Sequence, residues 1–210
     1  MKRWLIVAAV ALLGVCVVGW TKHEWITDAI NFNSRQRNIA QAIAAASPDQ
    51  LREFLDQPDA ELRRVAAVRL ARINDASGRA ALVASLYPQT VFATGTGTFQ
   101  VRIKPGATLK AGQVIANIGG QPVRSPITGQ LLRFYEPQPG GYQFGHRVAE
   151  IAPAESGVKE AIDAIGLVGK QSDAEELESL ARAFPKYSVE TNAACQKIRT
   201  RRQQAGFGRQ

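Results

Sequence analysis

The sequence contains little cysteine and little histidine, with two residues of each among 210. Two cysteines are too few for a scaffold held by several disulfides. The two distant histidines, His23 and His146, are too few for a His/Cys zinc cluster or a paired-histidine phosphate relay. The sequence also lacks Gly-x-Ser-x-Gly, the turn that presents the nucleophile of α/β-hydrolases. We therefore expect a protein that is not an enzyme, with no catalytic residues, no metal and no cofactor.

The rest of the composition is that of a folded protein with a basic excess. Hydrophobic residues make up 45% of the chain, which excludes a wholly disordered protein. Lysine and arginine number 26 against 18 aspartate and glutamate residues, so the formal net charge is +8. The length allows one large domain or several small modules.

One long apolar run lies near the start of the chain. Residues 4–20 carry no charge, begin and end with tryptophan, and as a helix would cover about 26 Å of a roughly 30 Å bilayer core. Lys2 and Arg3 precede the run and Lys22 follows it, so the positive-inside rule leaves the N-terminus in the cytoplasm. We expect a single-pass signal-anchor at residues 1–21 in the inner membrane of a Gram-negative-type envelope, with the bulk of the chain in the periplasm. A cleaved signal peptide, cut near Gly19, is the alternative.

Two segments, 22–90 and 154–202, have helical composition. Alanine, leucine and arginine dominate the first, and apolar residues recur at three- and four-residue steps. Pro48 and Pro58 are each expected in the first turn of a helix. The stretch from Asp56 to Leu70 resembles a HEAT-type repeat, in which an Asp-x-Pro-Asp turn leads into a second helix.

The second helical segment reads as the same repeat again, followed by a last helix. Because single helix pairs cannot cover their apolar faces, we expect the two segments to stack into one helical body. Cys195 is expected to be a buried thiol rather than part of an intermolecular disulfide. We expect residues 203–210 to form a disordered basic tail, at the end of an acid-free run of cations: Lys197, Arg199, Arg201, Arg202 and Arg209.

Residues 91–153 differ in kind from the segments around them. They hold many of the 18 glycines, short runs of Val, Ile, Phe and Thr, and Pro-Gly or Gly-Gly turns, which together predict an all-β module. The segment also repeats itself. Gly112–Ile118 aligns with Gly145–Ile151, 33 residues later, and a Pro-Gly pair lies upstream of each. This repeat predicts a pseudo-twofold pair of interlocked hairpins.

The module resembles a known family. The sequence from Val101 to Ile118, followed by Ser-Pro-Ile-Thr-Gly at 125–129, is similar to the biotinyl/lipoyl-type barrel-sandwich hybrid, which also occurs in periplasmic adaptor (membrane fusion) proteins. In carrier members, the resemblance implies, a lysine at the tip of the hairpin between the two halves holds the cofactor. The corresponding tip, Gly119–Arg124, has no lysine, and Arg124 cannot replace it because a guanidinium is not acylated. The resemblance therefore implies a recognition module rather than a carrier.

Most of the net charge outside the predicted anchor lies in this module, which has six basic residues against Glu136 and Glu150. A solvated basic surface is one interpretation, and a docking face for an acidic partner is the other. The residues of the candidate face are Arg102, Lys104, Lys110, Arg124, Arg133 and Arg147.

The sequence thus predicts an α+β protein: an N-terminal transmembrane helix, then HEAT-like α-helical hairpins with an inserted all-β barrel-sandwich hybrid module. The expected function is a non-catalytic, membrane-anchored periplasmic scaffold that docks another envelope or inner-membrane protein, with no nucleic acid. One alternative is an accessory subunit or degenerate carrier module of a membrane enzyme complex. Another is a nucleic-acid-binding protein that uses the basic tail, if the topology is reversed.

Overall fold

A computed structural model describes residues 39–137 and 140–207, and the predicted membrane segment at 1–21 lies outside them. The described part is α+β, as predicted, with seven helices and two small antiparallel sheets. Within these residues no helix combines the length and the apolar character needed to cross a bilayer.

The helices form two groups that flank the strands in the chain. The first group comprises α1 (residues 39–45), α2 (Pro48–Glu53), α3 (Ala60–Arg72) and α4 (Arg79–Ala84). The second comprises α5 (Glu155–Val168), α6 (Gln171–Ala183) and α7 (Ser188–Phe207). Short 3₁₀ turns at Phe54–Asp56, Ala76–Gly78 and Pro185–Tyr187 lie directly before or after these helices.

Local sequence explains where the first helices begin. Ser47 caps α2 in a reciprocal capping box with Gln50, and Pro48 occupies the first turn as predicted. The same prediction for Pro58 is wrong. The Asp59 side chain accepts hydrogen bonds from the first-turn N–H groups of α3, so Asp59 is the N-cap and Pro58 lies before the helix.

The two helical groups share one core. Helix α3 packs on α5 and α5 packs on α7, while α2, α4 and α6 pack on α3, α5 and α7 respectively. Apolar side chains from α3 and α4 meet those of α5, α6 and α7 in a single cluster. The predicted stacking of the two segments into one helical body is therefore present, and we call α2–α7 the helical body. Cys195 is buried in this cluster, as expected.

The C-terminal part of the chain differs from its prediction. Residues 203–210 were expected to be disordered, but α7 continues past Arg202 to Phe207, and residues 208–210 lie outside the described part. Helical propensity explains the difference, since Arg, Gln and Ala extend a helix that packing has already formed.

Seven short strands lie between α4 and α5 and form the β module. They are β1 (Gln89–Phe92), β2 (Phe99–Val101), β3 (Thr108–Leu109), β4 (Val114–Ile118), β5 (Gln121–Arg124), β6 (Gly129–Phe134) and β7 (Arg147–Pro153). One sheet has the order β1-β7-β6-β3 and the other β2-β4-β5. Side chains from both sheets fill one core that includes Leu109, Ile118, Leu131 and Ile151. The first strand begins at Gln89, two residues before the predicted module boundary at Val91.

The two halves of the β module repeat the same pairing. In the first half Ala116 pairs with Val123 and Ile118 with Gln121, with a bulge after Val114. In the second half the equivalent residues of β7, 33 positions later, pair with β1, and a bulge lies at the corresponding position. Strand β2 pairs with β4 much as β6 pairs with β7. The second half therefore takes its last strand from the beginning of the module.

This permuted arrangement places the ends of the β module side by side. Gln89, at its start, pairs with Ile151, two residues before its last strand ends. The module is thus inserted between α4 and α5, two helices that pack on each other.

Candidate docking surfaces of the β module

The hairpin between β4 and β5 ends in a turn made of two glycines. Ile118 pairs with Gln121, and Gly119 and Gly120 connect them with φ values of 55° and 82°. A Cβ atom on Gly119 would overlap the carbonyl oxygen of Thr96. A side chain at this position is excluded by both backbone conformation and space. The tip of this hairpin therefore presents no side chain at Gly119 and Gly120.

The Gly119–Gly120 turn lies at the end of the module away from the helical body. Strand β1 leaves the helices at Gln89 and leads to the loop containing Thr96 and Gly97, which packs against the turn. Thr128 lies at the other end, where its carbonyl oxygen accepts the N–H of Ala154, directly before α5. We call the end with the Gly119–Gly120 turn the free end.

Two phenylalanines near the free end are exposed. Phe144 is 76% exposed and Phe92, the last residue of β1, is 51% exposed. The N–H of Gly145 bonds to the carbonyl oxygen of Ala93, which places the backbone at Phe144 beside that at Phe92. Exposed aromatic side chains at one corner are typical of an interaction site.

A rigid aromatic cluster supports this corner from inside. The ring centroid of Phe99 lies 5.2 Å from that of Phe134 and 4.9 Å from that of Tyr142. The Tyr142 hydroxyl donates to the carbonyl oxygen of Tyr135, and burial raises the pKa of that hydroxyl. The free end is therefore well packed beneath its exposed residues.

The six basic residues predicted as one face are distributed over both sheets and their connections. Arg133 and Arg147 belong to the four-stranded sheet, whereas Arg124 ends β5 in the three-stranded sheet and Arg102 directly follows β2. The two sheets pack around one core, so their outer faces point in different directions. Strands β2 and β5 belong to one sheet and β6 and β7 to the other, and the docking face stays a prediction.

The basic charges also differ in their neighbours. Arg133 forms an ion pair with Glu150 at 2.7 Å and lies over the ring of Tyr135. Arg124 donates to the carbonyl oxygen of Gly112 at 3.0 Å, and a guanidinium nitrogen of Arg102 lies 3.0 Å from the side-chain oxygen of Asn117. Neutral oxygens thus orient two arginines of the three-stranded sheet.

The prediction of a basic face did not use one feature of the sequence, a long stretch without acidic residues. No aspartate or glutamate occurs between Asp75 and Glu136, a stretch that contains all of β1 to β6. Four cations of this stretch lie on the three-stranded sheet or on the connection from β2 to β4. These cations are Arg102, Lys104, Lys110 and Arg124.

His146 has a structural role in a turn. Its Nδ1 atom accepts the backbone N–H of Gln143 at 3.3 Å. In the first half of the module the Gln113 side chain accepts the N–H of Lys110 at 3.0 Å, at the equivalent position. Among the residues that the structure describes, no three His, Cys, Asp or Glu side chains are grouped so that they could hold a metal ion.

A cavity of about 140 Å³ lies where the module meets α3, α4 and α5. Arg64 lines it and forms ion pairs with Glu61 at 2.9 Å and Glu160 at 2.7 Å. The guanidinium packs on Gly157, the nearest of its atoms 3.7 Å from where a Cβ would be. These paired charges hold α3 to α5 and give the cavity a structural role.

The basic run near the C-terminus contacts the helical body. Lys197 pairs with Asp163 at 2.5 Å, and Arg199 pairs with Glu178. Arg201 donates to the carbonyl oxygen of Gly169 at 2.6 Å, at the end of α5. These cations are therefore used in packing α7 against α5 and α6.

Comparison with known proteins adds no family to this description. No protein-family model matches the chain, and no curated protein matches it.

Proposed function

We propose that this chain is a non-catalytic scaffold protein, anchored by residues 1–21 in the inner membrane, whose β module docks another envelope protein in the periplasm. The described helices would provide a rigid support, and the free end of the module would make the contact. In this proposal the protein carries no cofactor and binds no nucleic acid.

The proposed module type is a biotinyl/lipoyl-like barrel-sandwich hybrid that has lost its carrier lysine. Two features support it: the two halves share their strand pairing, and the hairpin between β4 and β5 ends in Gly119–Gly120. The proposed helical architecture is HEAT-like. It is supported by the succession of pairs α2–α3, α4–α5 and α6–α7, in which the second helices stack in chain order. Three such pairs are about the number that a stable solenoid needs.

The observation that carries the docking role is the exposure of Phe92 and Phe144 at the free end. A folded protein gains by burying an aromatic side chain, at about 25 cal/mol per Å² of apolar surface. Two exposed rings on a packed corner are therefore suited to a pocket of a partner protein, where aromatic residues contribute most of the binding energy.

Photo-crosslinking in cells tests this role. A photoreactive phenylalanine analogue at Phe144 should give a discrete crosslinked product with another envelope protein. The matched control is the same analogue at Val189 at the start of α7, because that side chain is 77% exposed and Phe144 is 76% exposed. Equal products from both positions, or none from Phe144, would contradict the proposal.

Two further measurements separate the alternatives. Intact-mass analysis should find no adduct, whereas a biotinyl or lipoyl adduct on any lysine would identify a carrier. Protease added to spheroplasts should digest the helical body and β module, whereas protection would place them in the cytoplasm and favour a nucleic-acid-binding or enzyme-associated role.

A further inference from the structure

Strand β1 is an outer strand of the four-stranded sheet, and among the described elements only β7 pairs with it. The N–H of Ala93, directly after β1, bonds to the carbonyl oxygen of His146, directly before β7. Backbone groups of a strand point alternately to its two sides, so those of Val91 also point to β7, whereas those of Thr90 and Phe92 point outwards. No backbone hydrogen bond from another described segment reaches Thr90 or Phe92.

The equivalent edge in the first half of the module is blocked by a proline. Asn117 of β4 pairs with Pro122 of β5, and its repeat counterpart Glu150 of β7 pairs with Thr90 of β1. Proline has no N–H, and on edge strands it prevents pairing with another chain. Strand β1 contains neither a proline nor a charged residue. One half of the module therefore protects this edge, and the other half leaves it open.

We infer that the outer edge of β1 pairs antiparallel with the same edge of a second copy of this chain. Thr90 and Phe92 each present one N–H and one C=O outwards. When two β1 strands meet about a twofold axis at Val91, Thr90 of each copy lies opposite Phe92 of the other, and the two residues exchange N–H···O=C bonds. The edge is thus complementary to itself.

The side chains of β1 also suit a second copy. Val91 is buried in the core, so the side chains on either side of it, Thr90 and Phe92, share the outer face of the sheet. Phe92 is 51% exposed there. In the twofold register the two Phe92 residues are diagonal neighbours about 7 to 8 Å apart, which is within reach of aromatic side chains. Each ring would then cover apolar surface of the other copy. No like charges would meet within the strand pair, because β1 has none.

Antiparallel pairing also keeps the two helical bodies apart. Gln89 lies at the end of β1 next to the body and Phe92 at the end towards the free end, so the two bodies would lie at opposite ends of the strand pair. The contact is isologous and closes at two copies, and it joins two four-stranded sheets into one. It goes beyond the docking role proposed above, because it uses the backbone edge of β1 and not Phe144.

Sedimentation of the full chain, purified in detergent, tests the inference with one proline substitution. Thr90→Pro gives β1 the residue that β5 has at the equivalent position, and it removes an outward N–H without touching the bonds to β7. The wild type should form dimers and nothing larger, and Thr90→Pro should associate at least about tenfold more weakly. The matched control is Thr90→Val, which keeps the N–H and the preference for a strand and should associate as the wild type does.

Added salt gives a second readout in the same experiment. Each chain has a net charge of +8, so two copies repel each other and salt screens that repulsion. Since the contact consists of backbone hydrogen bonds and apolar side chains, salt should leave the dimer as strong or strengthen it. Circular dichroism of each variant shows whether the fold is kept.

Disulfide formation tests the register and does not depend on the proline variant. In a Cys16→Ala background, with Cys195 buried, one preparation carries T90C and another carries F92C. Opposite residues of the proposed pair have Cα atoms about 5.5 Å apart, which a disulfide can bridge, whereas diagonal residues are too far apart. Mild oxidation of the mixture should therefore give a covalent dimer, and oxidation of either variant alone should give little.

Three results would overturn the inference: a wild type that stays monomeric at micromolar concentration, undiminished association of Thr90→Pro, or as much covalent dimer from a single cysteine variant as from the mixture. The photo-crosslink at Phe144 reports on another envelope protein. Its product differs in mass from two copies of this chain, so one proposal can fail while the other stands.

Discussion

The helical body and the β module handle charge in different ways. In the body, cations meet carboxylates of another helix: Arg64 and Arg72 both contact Glu160, Arg79 contacts Asp173, and Lys159 contacts Glu190. In the module, the three-stranded sheet draws on a stretch without carboxylates. Ion pairs between helices thus help to hold the body together. The difference indicates that ion pairs position the helices of the body, whereas the strands of the three-stranded sheet contain no carboxylate that could form such pairs.

The backbone shows a second difference between the two regions. Glycine corners in the module adopt positive φ values, as at Gly112 with 85° and its repeat counterpart Gly145 with 82°. In the body, Gly157 lies inside α5 and a Cβ there would meet ordinary contacts. The module therefore depends on glycine for its positive φ values, which no described glycine of the body adopts.

The largest expected effect comes from replacing a glycine of the module at which a Cβ has no room. Gly129→Ala, at the start of β6, would place a Cβ against the backbone carbonyl of Ala152 in β7. Since backbone on both sides must move, we expect a loss of about 3 kcal/mol or more in the free energy of unfolding. Urea denaturation measures it.

Gly157→Ala is the matched change in the helical body. Its nearest neighbour would be the Arg64 guanidinium at 3.7 Å, and alanine favours a helix interior by up to about 1 kcal/mol. The variant should be as stable as the wild type or more stable. Similar destabilisation by both substitutions would show that the two regions do not differ in this respect.

A smaller effect is expected from the ion pairs. Arg64 is 14% exposed and contacts two glutamates, so Arg64→Ala leaves carboxylates without their partner and should cost about 2 to 4 kcal/mol. Arg133 in the module is 62% exposed, so solvent screens its ion pair and Arg133→Ala should cost much less than Arg64→Ala. Thermal unfolding of both variants at matched salt measures the difference. A larger loss of stability from Arg133→Ala than from Arg64→Ala would contradict the greater structural role of ion pairs in the helical body.

Much of the module could be predicted from its sequence, because glycine positions and strand patterns are local signals. The 33-residue repeat marks β4 and β7 correctly. The repeat does not reveal that β1 completes the second half. Strand β1 pairs with β7 as β5 pairs with β4, but β1 precedes the first half in the chain, whereas β5 follows β4 directly. The division of the six cations between two sheets follows from the same pairing, which is long-range and carries no local signature.

In the helical body, local chemistry was ambiguous at one helix start. Pro58 and Asp59 are both acceptable at the beginning of a helix, and the choice depends on whether the carboxylate can reach the first-turn N–H groups, which it does. The contact of Arg201 with the end of α5 was also missed, because it depends on how α7 packs.

The two halves of the module can also be compared with each other, and the expected losses of stability are small. Gln113 and His146 occupy equivalent turns and each accept a backbone N–H, at 3.0 Å and 3.3 Å. Gln113→Ala and His146→Ala should each cost about 0.5 to 1.5 kcal/mol in urea denaturation, with the shorter bond at Gln113 giving the larger loss. A His146→Ala cost far above that of Gln113→Ala would indicate a role for the histidine beyond its turn.

The smallest expected effect concerns a half-buried hydroxyl group of the helical body at high pH. Tyr87, after α4, donates its hydroxyl hydrogen bond to Glu176 in α6, and burial, together with the Glu176 carboxylate, raises the pKa of Tyr87 to about 12 from its ordinary value of 10.0. Because the folded pKa is the higher one, the hydroxyl stabilises the fold fully below pH 10.0 and this contribution is lost as the pH rises to about 12. Tyr87→Phe should therefore be less stable than the wild type by about 1 kcal/mol at neutral pH, and the gap should narrow between those two pH values. Urea denaturation of both proteins across that range measures the gap, and a constant gap would mean that the hydroxyl ionises equally easily in the folded and unfolded chains.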